Sequence, residues 1–116
     1  MHILVVDDDV HIRKLVRLYL RDSGAEVSEA GTGEEALAAT GREVFDIVVV
    51  DLILPYFGGF RLSQKLKAGA RPPRVVIITG DESPETRSAA AEAGADAFVV
   101  KPFTKEELLA AVLVLQ

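Results

Sequence analysis

Five short apolar runs recur along the chain, separated by longer stretches of helical period. They are Ile3–Val6, Ala25–Val27, Ile47–Val50, Val75–Ile78 and Ala97–Val100. Most are rich in Val and Ile, and three are almost continuously apolar. A strand with one wet face would alternate polar and apolar residues. Continuous runs suit strands covered on both faces, as in a parallel sheet.

The stretches between the runs carry helix punctuation. Asp9 stands ahead of Val10 as a helix cap. Ile12, Leu15, Val16 and Tyr19 fall on one helical face, and Gly24 supplies a left-handed residue beyond the end. Thr32 with Glu35 has the spacing of a capping box, and so does Thr104 with Glu107. Phe60, Leu62 and Leu66 mark a third helix that ends near Gly69. Ser83-Pro84 reads as a cap followed by a first turn, opening an alanine-rich helix that closes at Gly94. Strict strand–helix alternation with right-handed crossovers predicts a three-layer α/β sandwich. With 116 residues, 49% of them hydrophobic, one domain spanning 1–116 is expected, with no output domain.

Ligands in such sheets sit at the carboxyl ends of the strands. The first run ends at Asp7, Asp8 and Asp9, the third at Asp51, the fourth at Thr79 and the fifth at Lys101. The second ends near Glu29, which has no evident role. Carboxylates gathered on one edge repel, so a positive partner is expected among them. Lys101 is one candidate. A divalent cation is the other, because clustered carboxylates suit Mg²⁺. The absence of cysteine excludes disulfides, thiolate metal sites and thiol nucleophiles. A net charge of −5 argues against direct nucleic-acid binding. No run is long enough to span a membrane and the start is no signal peptide, so a cytoplasmic protein without membrane contact is expected.

The segments Val5-Val6-Asp7-Asp8-Asp9, Val50-Asp51-Leu52-Ile53-Leu54-Pro55, Ile78-Thr79-Gly80 and Lys101-Pro102-Phe103 resemble the receiver domain of bacterial two-component response regulators. Order and separation fit as well: Thr79 lies 28 residues past Asp51, and Lys101 lies 22 beyond Thr79. The resemblance covers essentially the whole chain. It implies a flavodoxin-like (βα)5 sandwich with strand order 2-1-3-4-5. It also implies a phosphorelay switch rather than an enzyme with an external substrate, one that catalyses only its own phosphorylation and dephosphorylation. Asp51 would be the phosphoacceptor. Asp7, Asp8, Asp51 and the backbone carbonyl of Ile53 would hold Mg²⁺, with Mn²⁺ as a substitute. Lys101 and Thr79 would contact phosphoryl oxygens. The Lys101-Pro102 bond is expected to be cis, which an X–Pro bond accommodates at low cost.

By the same resemblance, Thr79 and Phe98 form a switch pair, read through the face made by the fourth helix, fifth strand and fifth helix. Ile53, Gly80, Glu82 and Pro102 are expected to flank the site, with Ile53 and Glu82 tuning phosphate lifetime. Ala89, Ala97 and Ala111 stand where receivers of the winged-helix transcription-factor class place charges, which argues against that dimer mode. Tyr56 and Phe57 have two readings, a kinase-docking surface and a packed loop, of which the packed loop is the expectation. A histidine kinase or histidine phosphotransfer protein would supply the phosphoryl group, and a downstream protein or an attached output domain would read it. Two rival readings remain: a pseudo-receiver that binds without phosphorylation, and a Mg²⁺-dependent aspartyl phosphohydrolase. The second lacks the paired acid of such enzymes, because Ile53 stands in its place.

Overall fold

The computed structural model describes residues 1–115; Gln116 lies outside the described residues. Five strands alternate with five helices: β1 His2–Val6, α1 Val10–Leu20, β2 Glu26–Ala30, α2 Gly33–Arg42, β3 Ile47–Asp51, α3 Gly59–Lys67, β4 Arg74–Thr79, α4 Pro84–Glu92, β5 Ala97–Val100 and α5 Lys105–Val114. The strands form one parallel sheet in the order β2-β1-β3-β4-β5. This is the expected flavodoxin-like sandwich.

Strand alternation divides the core into two layers. Ile3, Val5, Ile47, Val49, Val76 and Ile78 pack with Val16 and Leu20 of α1 and Leu108 and Val112 of α5. Leu4, Val6, Val48, Val50, Val75 and Ile77 point the other way, onto Ala36 of α2, Leu62 and Leu66 of α3, and Ala90 of α4. The central strand β3 is buried at every position, which is why its sequence is so uniformly apolar up to Asp51.

The second strand departs from expectation. It runs from Glu26 to Ala30, later than the apolar run Ala25–Val27. It is an edge strand in which Val27 and Ala30 are buried and Glu26 and Glu29 exposed, so outward charges mask it in the sequence. Helix α1 also stops earlier than expected. A turn of 3-10 helix, Arg21–Ser23, separates it from Gly24, which carries the left-handed φ of 79°.

The capping residues act as read. Asp9 accepts from the His11 amide, Thr32 from Glu35, Ser83 from Thr86 and Thr104 from Glu107. In the α2 box the return bond goes to Gly31, whose amide donates to Glu35 Oε2 at 2.8 Å, one residue before the cap.

Candidate phosphoacceptor site

Parallel register builds the site. Val6 pairs with Val50, so the next residues, Asp7 and Asp51, leave adjacent strands side by side. Thr79 ends β4 opposite Val100, and the Lys101 amide donates to the Thr79 carbonyl at 2.8 Å. Asp7, Asp8, Asp9, Asp51, Ile53, Leu54, Pro55, Thr79, Gly80 and Lys101 line one cleft of about 440 Å³.

Within it, Asp7, Asp8 and Asp51 each present a carboxylate oxygen, and these oxygens lie within 4.8 Å of one another. Lys101 Nζ stands 3.3 Å from Asp51 Oδ1 and 3.6 Å from Asp7 Oδ2. Asp7 is 2% exposed and Asp51 9%, whereas Asp8 faces solvent. Burial pushes the Asp7 carboxyl above its ordinary range; the charges of Asp51 and Asp8 add to this, while the Asp9 amide and Lys101 oppose it. The Asp9 N–H donates to Asp7 Oδ1 at 2.9 Å, and the Ile53 N–H approaches Asp51 Oδ1 at 3.4 Å. One ammonium therefore faces three carboxylates, and a set of hard oxygen donors with excess negative charge suits a small divalent cation.

The loop after Asp51 is shaped by close backbone approach. A Cβ on Gly59 would lie 2.6 Å from the Asp51 carbonyl oxygen and 2.7 Å from Leu52 Cα, so only glycine fits there. Tyr56 takes a positive φ of 66° and is wholly exposed, contrary to the expected packed loop. Phe57 does pack: it covers Gly33, and the Arg61 guanidinium lies 4.8 Å above its ring.

Other expected residues are placed as follows. Ile53 and Gly80 line the cleft, with Ile53 77% exposed. The Lys101-Pro102 peptide is cis, and Pro102 is exposed. Glu82 and Phe98 are not among the residues lining the cleft. Both line a separate hollow between α4, β5 and α5, together with Arg87, Ala97, Ala110 and Ala111. For Glu82 this corrects the expected flanking position: it stands three residues beyond Thr79, and Asp81 intervenes, its amide donating to Thr79 Oγ1 at 3.1 Å.

Glu29 and Arg13 support the site without a motif to mark them. Arg13 Nη1 donates to the Asp7 carbonyl at 2.6 Å, and its Nε meets Glu29 Oε1 at 3.0 Å. Arg17 Nη2 holds the other Glu29 oxygen at 3.0 Å. Glu29 thus anchors the arginine that grips the backbone of the acidic loop. Arg13 and Arg17 on one helical face were the visible signal; their shared acceptor on β2 was not.

Known proteins resemble this chain in sequence and in fold. A family model, the response regulator receiver domain, matches residues 3–113. The "Probable transcriptional regulatory protein TcrX" of Mycobacterium tuberculosis is 36% identical over 107 residues, covering 92% of this chain and 46% of that protein. Transcriptional regulatory protein ResD of Bacillus subtilis is 33% identical over 107 residues, covering 92% and 44%. The chain therefore spans less than half the length of these curated relatives. Among solved structures, the chemotaxis protein CheY4 of Vibrio cholerae superposes with a TM-score of 0.94 at 32% identity, covering 99% of this chain and 98% of that one.

Proposed function

The chain belongs to the response regulator receiver family, and from that premise we propose that Asp51 accepts a phosphoryl group and that Thr79 and Phe98 transmit its arrival. The observation that carries the reading is the convergence of Asp7, Asp8 and Asp51 within 4.8 Å, with Lys101 Nζ 3.3 Å from Asp51.

An Asp51 carboxylate oxygen attacks the phosphorus of a phosphohistidine on a kinase or phosphotransfer protein, or of a small acyl phosphate. The new P–O bond forms as the P–N bond, or the acyl P–O bond, breaks, and the electron pair leaves with the imidazole or the carboxylate. Phosphoryl transfer asks a protein mainly for positioning and for stabilisation of charge on the transferred oxygens. The Lys101 ammonium supplies a counter-charge within reach of Asp51, and the Thr79 hydroxyl is a donor on the neighbouring strand end. Asp7, Asp8 and Asp51, with the Ile53 carbonyl, would hold Mg²⁺ or Mn²⁺. When bound, that ion would neutralise phosphoryl oxygens alongside Lys101. Exposed Ile53 at the cleft rim would limit access of an attacking water and so lengthen the phosphoryl lifetime.

Such a domain is a signalling protein rather than a classical enzyme. Cytoplasmic placement fits this role, and among the described residues no helix is long and apolar enough to cross a membrane. Relatives named as transcriptional regulatory proteins support an output domain or a separate target protein as the reader of the switch.

The test is incubation with Mg²⁺ and acetyl phosphate, followed by intact mass. Wild type should gain one phosphoryl group that is labile to base, and Asp51→Asn should gain none. An unchanged wild-type mass, together with amide resonances that ignore Mg²⁺, would overturn the reading.

A further inference from the structure

Thr79 and Phe98 share one face of the sheet. Ile77 pairs with Phe98, and Val75, Ile77 and Thr79 alternate onto the layer covered by α4. Two contacts tie this pair to consecutive residues in the first turn of α4. The Asp81 amide donates to Thr79 Oγ1 at 3.1 Å, and the Asp81 carboxylate is held by Thr86 Oγ1 at 2.7 Å and the Ser83 amide at 2.9 Å. Ser83 Oγ in turn donates to Thr86 Oγ1 at 3.1 Å. The next residue, Arg87, places its guanidinium carbon 4.7 Å from the centre of the Phe98 ring.

We propose that Thr86 and Arg87 are positioning residues that latch both members of the switch pair: Thr86 holds Thr79 through Asp81, and Arg87 holds Phe98 in its outward position. This rests on the phosphoacceptor reading above and names the device that opposes it. Phe98 is half-buried, with its ring lining the hollow between α4, β5 and α5. A ring turned inward from this position would lose the Arg87 contact, so the stack favours the arrangement described. Likewise, drawing the Thr79 hydroxyl toward a phosphoryl group on Asp51 pulls it off the Asp81 amide. Both bonds favour one arrangement over the other, so releasing either raises the population competent to hold the phosphoryl group.

The latch is also the simplest account of why α4 carries these side chains. Helix α4 has small residues at Ala89, Ala90 and Ala91, and Ala90 alone is buried. Its polar first turn is the part that reaches the strand ends. Lowering of the Asp81 carboxyl below its ordinary range by the Ser83 amide and the Thr86 hydroxyl is consistent with an acceptor engaged on several sides.

The experiment is a titration of the whole chain with beryllofluoride and Mg²⁺, followed by amide and Phe98 ring resonances. Removing an exposed cation–π contact or one hydrogen bond should tighten binding about two- to fivefold in Arg87→Gln and in Thr86→Val. In the free variants the Phe98 ring resonances should move toward their positions in saturated wild type. Arg87→Lys, which keeps a cation over the ring, should stay close to wild type. Unchanged or weaker binding in both Arg87→Gln and Thr86→Val, with wild type binding normally, overturns the latch and leaves the phosphoacceptor reading standing. Failure of wild type and Asp51→Asn alike to bind overturns both. If Thr86→Val unfolds, Arg87→Gln, which touches the ring from an exposed position, decides alone.

Discussion

Asp7→Asn is expected to stabilise the protein without divalent cations and to lose that advantage when Mg²⁺ is added. With the carboxylate oxygens within 4.8 Å of one another and an effective dielectric of about 20, the Asp7–Asp51 repulsion is at least roughly 3.5 kcal/mol. The Lys101 attraction at 3.6 Å is about 4.6 kcal/mol on the same scale. Exposed Asp8 adds about 1 kcal/mol of repulsion at a water-like dielectric. These pair energies nearly cancel, so the balance falls to the cost of burying a carboxylate that is 2% exposed. Asparagine removes that cost and can still accept from the Asp9 amide, now 2.9 Å from Asp7 Oδ1. A net gain of about 1 kcal/mol follows.

Urea denaturation at pH 7 in EDTA should show this as a midpoint raised by roughly 0.5 M. Mg²⁺ at ten times its dissociation constant adds about 1.4 kcal/mol to wild type and less to a variant lacking one ligand, reversing the order. The sign with pH is also set. Because the folded Asp7 carboxyl lies above its unfolded value, the native state binds the proton more tightly. Wild-type stability from this group falls as pH rises from the ordinary carboxylate value through the raised one. The advantage of Asp7→Asn should therefore shrink in acid and vanish below the unfolded value. A variant less stable than wild type in EDTA at pH 7, or an advantage indifferent to Mg²⁺, would refute the reasoning.

Two further outcomes are expected. Gly59→Ala forces a Cβ to within 2.6 Å of the Asp51 carbonyl oxygen, against backbone that cannot yield. It should cost about 1–3 kcal/mol and lower the thermal midpoint by about 4–12 °C. Glu29→Gln should cost about 0.5–1 kcal/mol at pH 7. Burial alone would raise the Glu29 carboxyl, but hydrogen bonds from Arg13 and Arg17 outweigh it and hold the group below its ordinary range. That contribution is present above the unfolded value and is lost as pH falls through the folded one, so denaturation midpoints of wild type and variant should converge in acid and in high salt.

The site was legible in the sequence because its chemistry rides on strand ends. A buried parallel strand must be apolar, so the first polar or charged residue at its carboxyl end is conspicuous. Asp7, Asp51, Thr79 and Lys101 are all found this way. Glu29 was placed near the end of the second strand but its role escaped, because its partners Arg13 and Arg17 lie on α1 and reach it only across the packed layers. Glu82 was misplaced because a loop residue's direction depends on how the loop closes. Here Asp81 turns the chain by binding Thr79, Ser83 and Thr86, and Glu82 is carried to the other hollow. Tyr56 was misread because nothing in a tyrosine announces a positive φ.

The alternation of apolar runs and capped helices, by itself, determined the layered sandwich and the edge at which polar groups collect. Local rules suffice for that: periodicity, caps and the need to bury both faces of a strand. The distances were decided by the tertiary structure. Asp7, Asp51 and Lys101 are separated by 44 and 50 residues along the chain, and parallel register alone brings them within reach of one another. The Thr79–Asp81–Thr86 contacts are local to the loop, but Arg87 meets the Phe98 ring only when α4 packs beside β5. A side chain's partner across a crossover depends on how two packed layers slide to fill the core, and no local pattern encodes that slide.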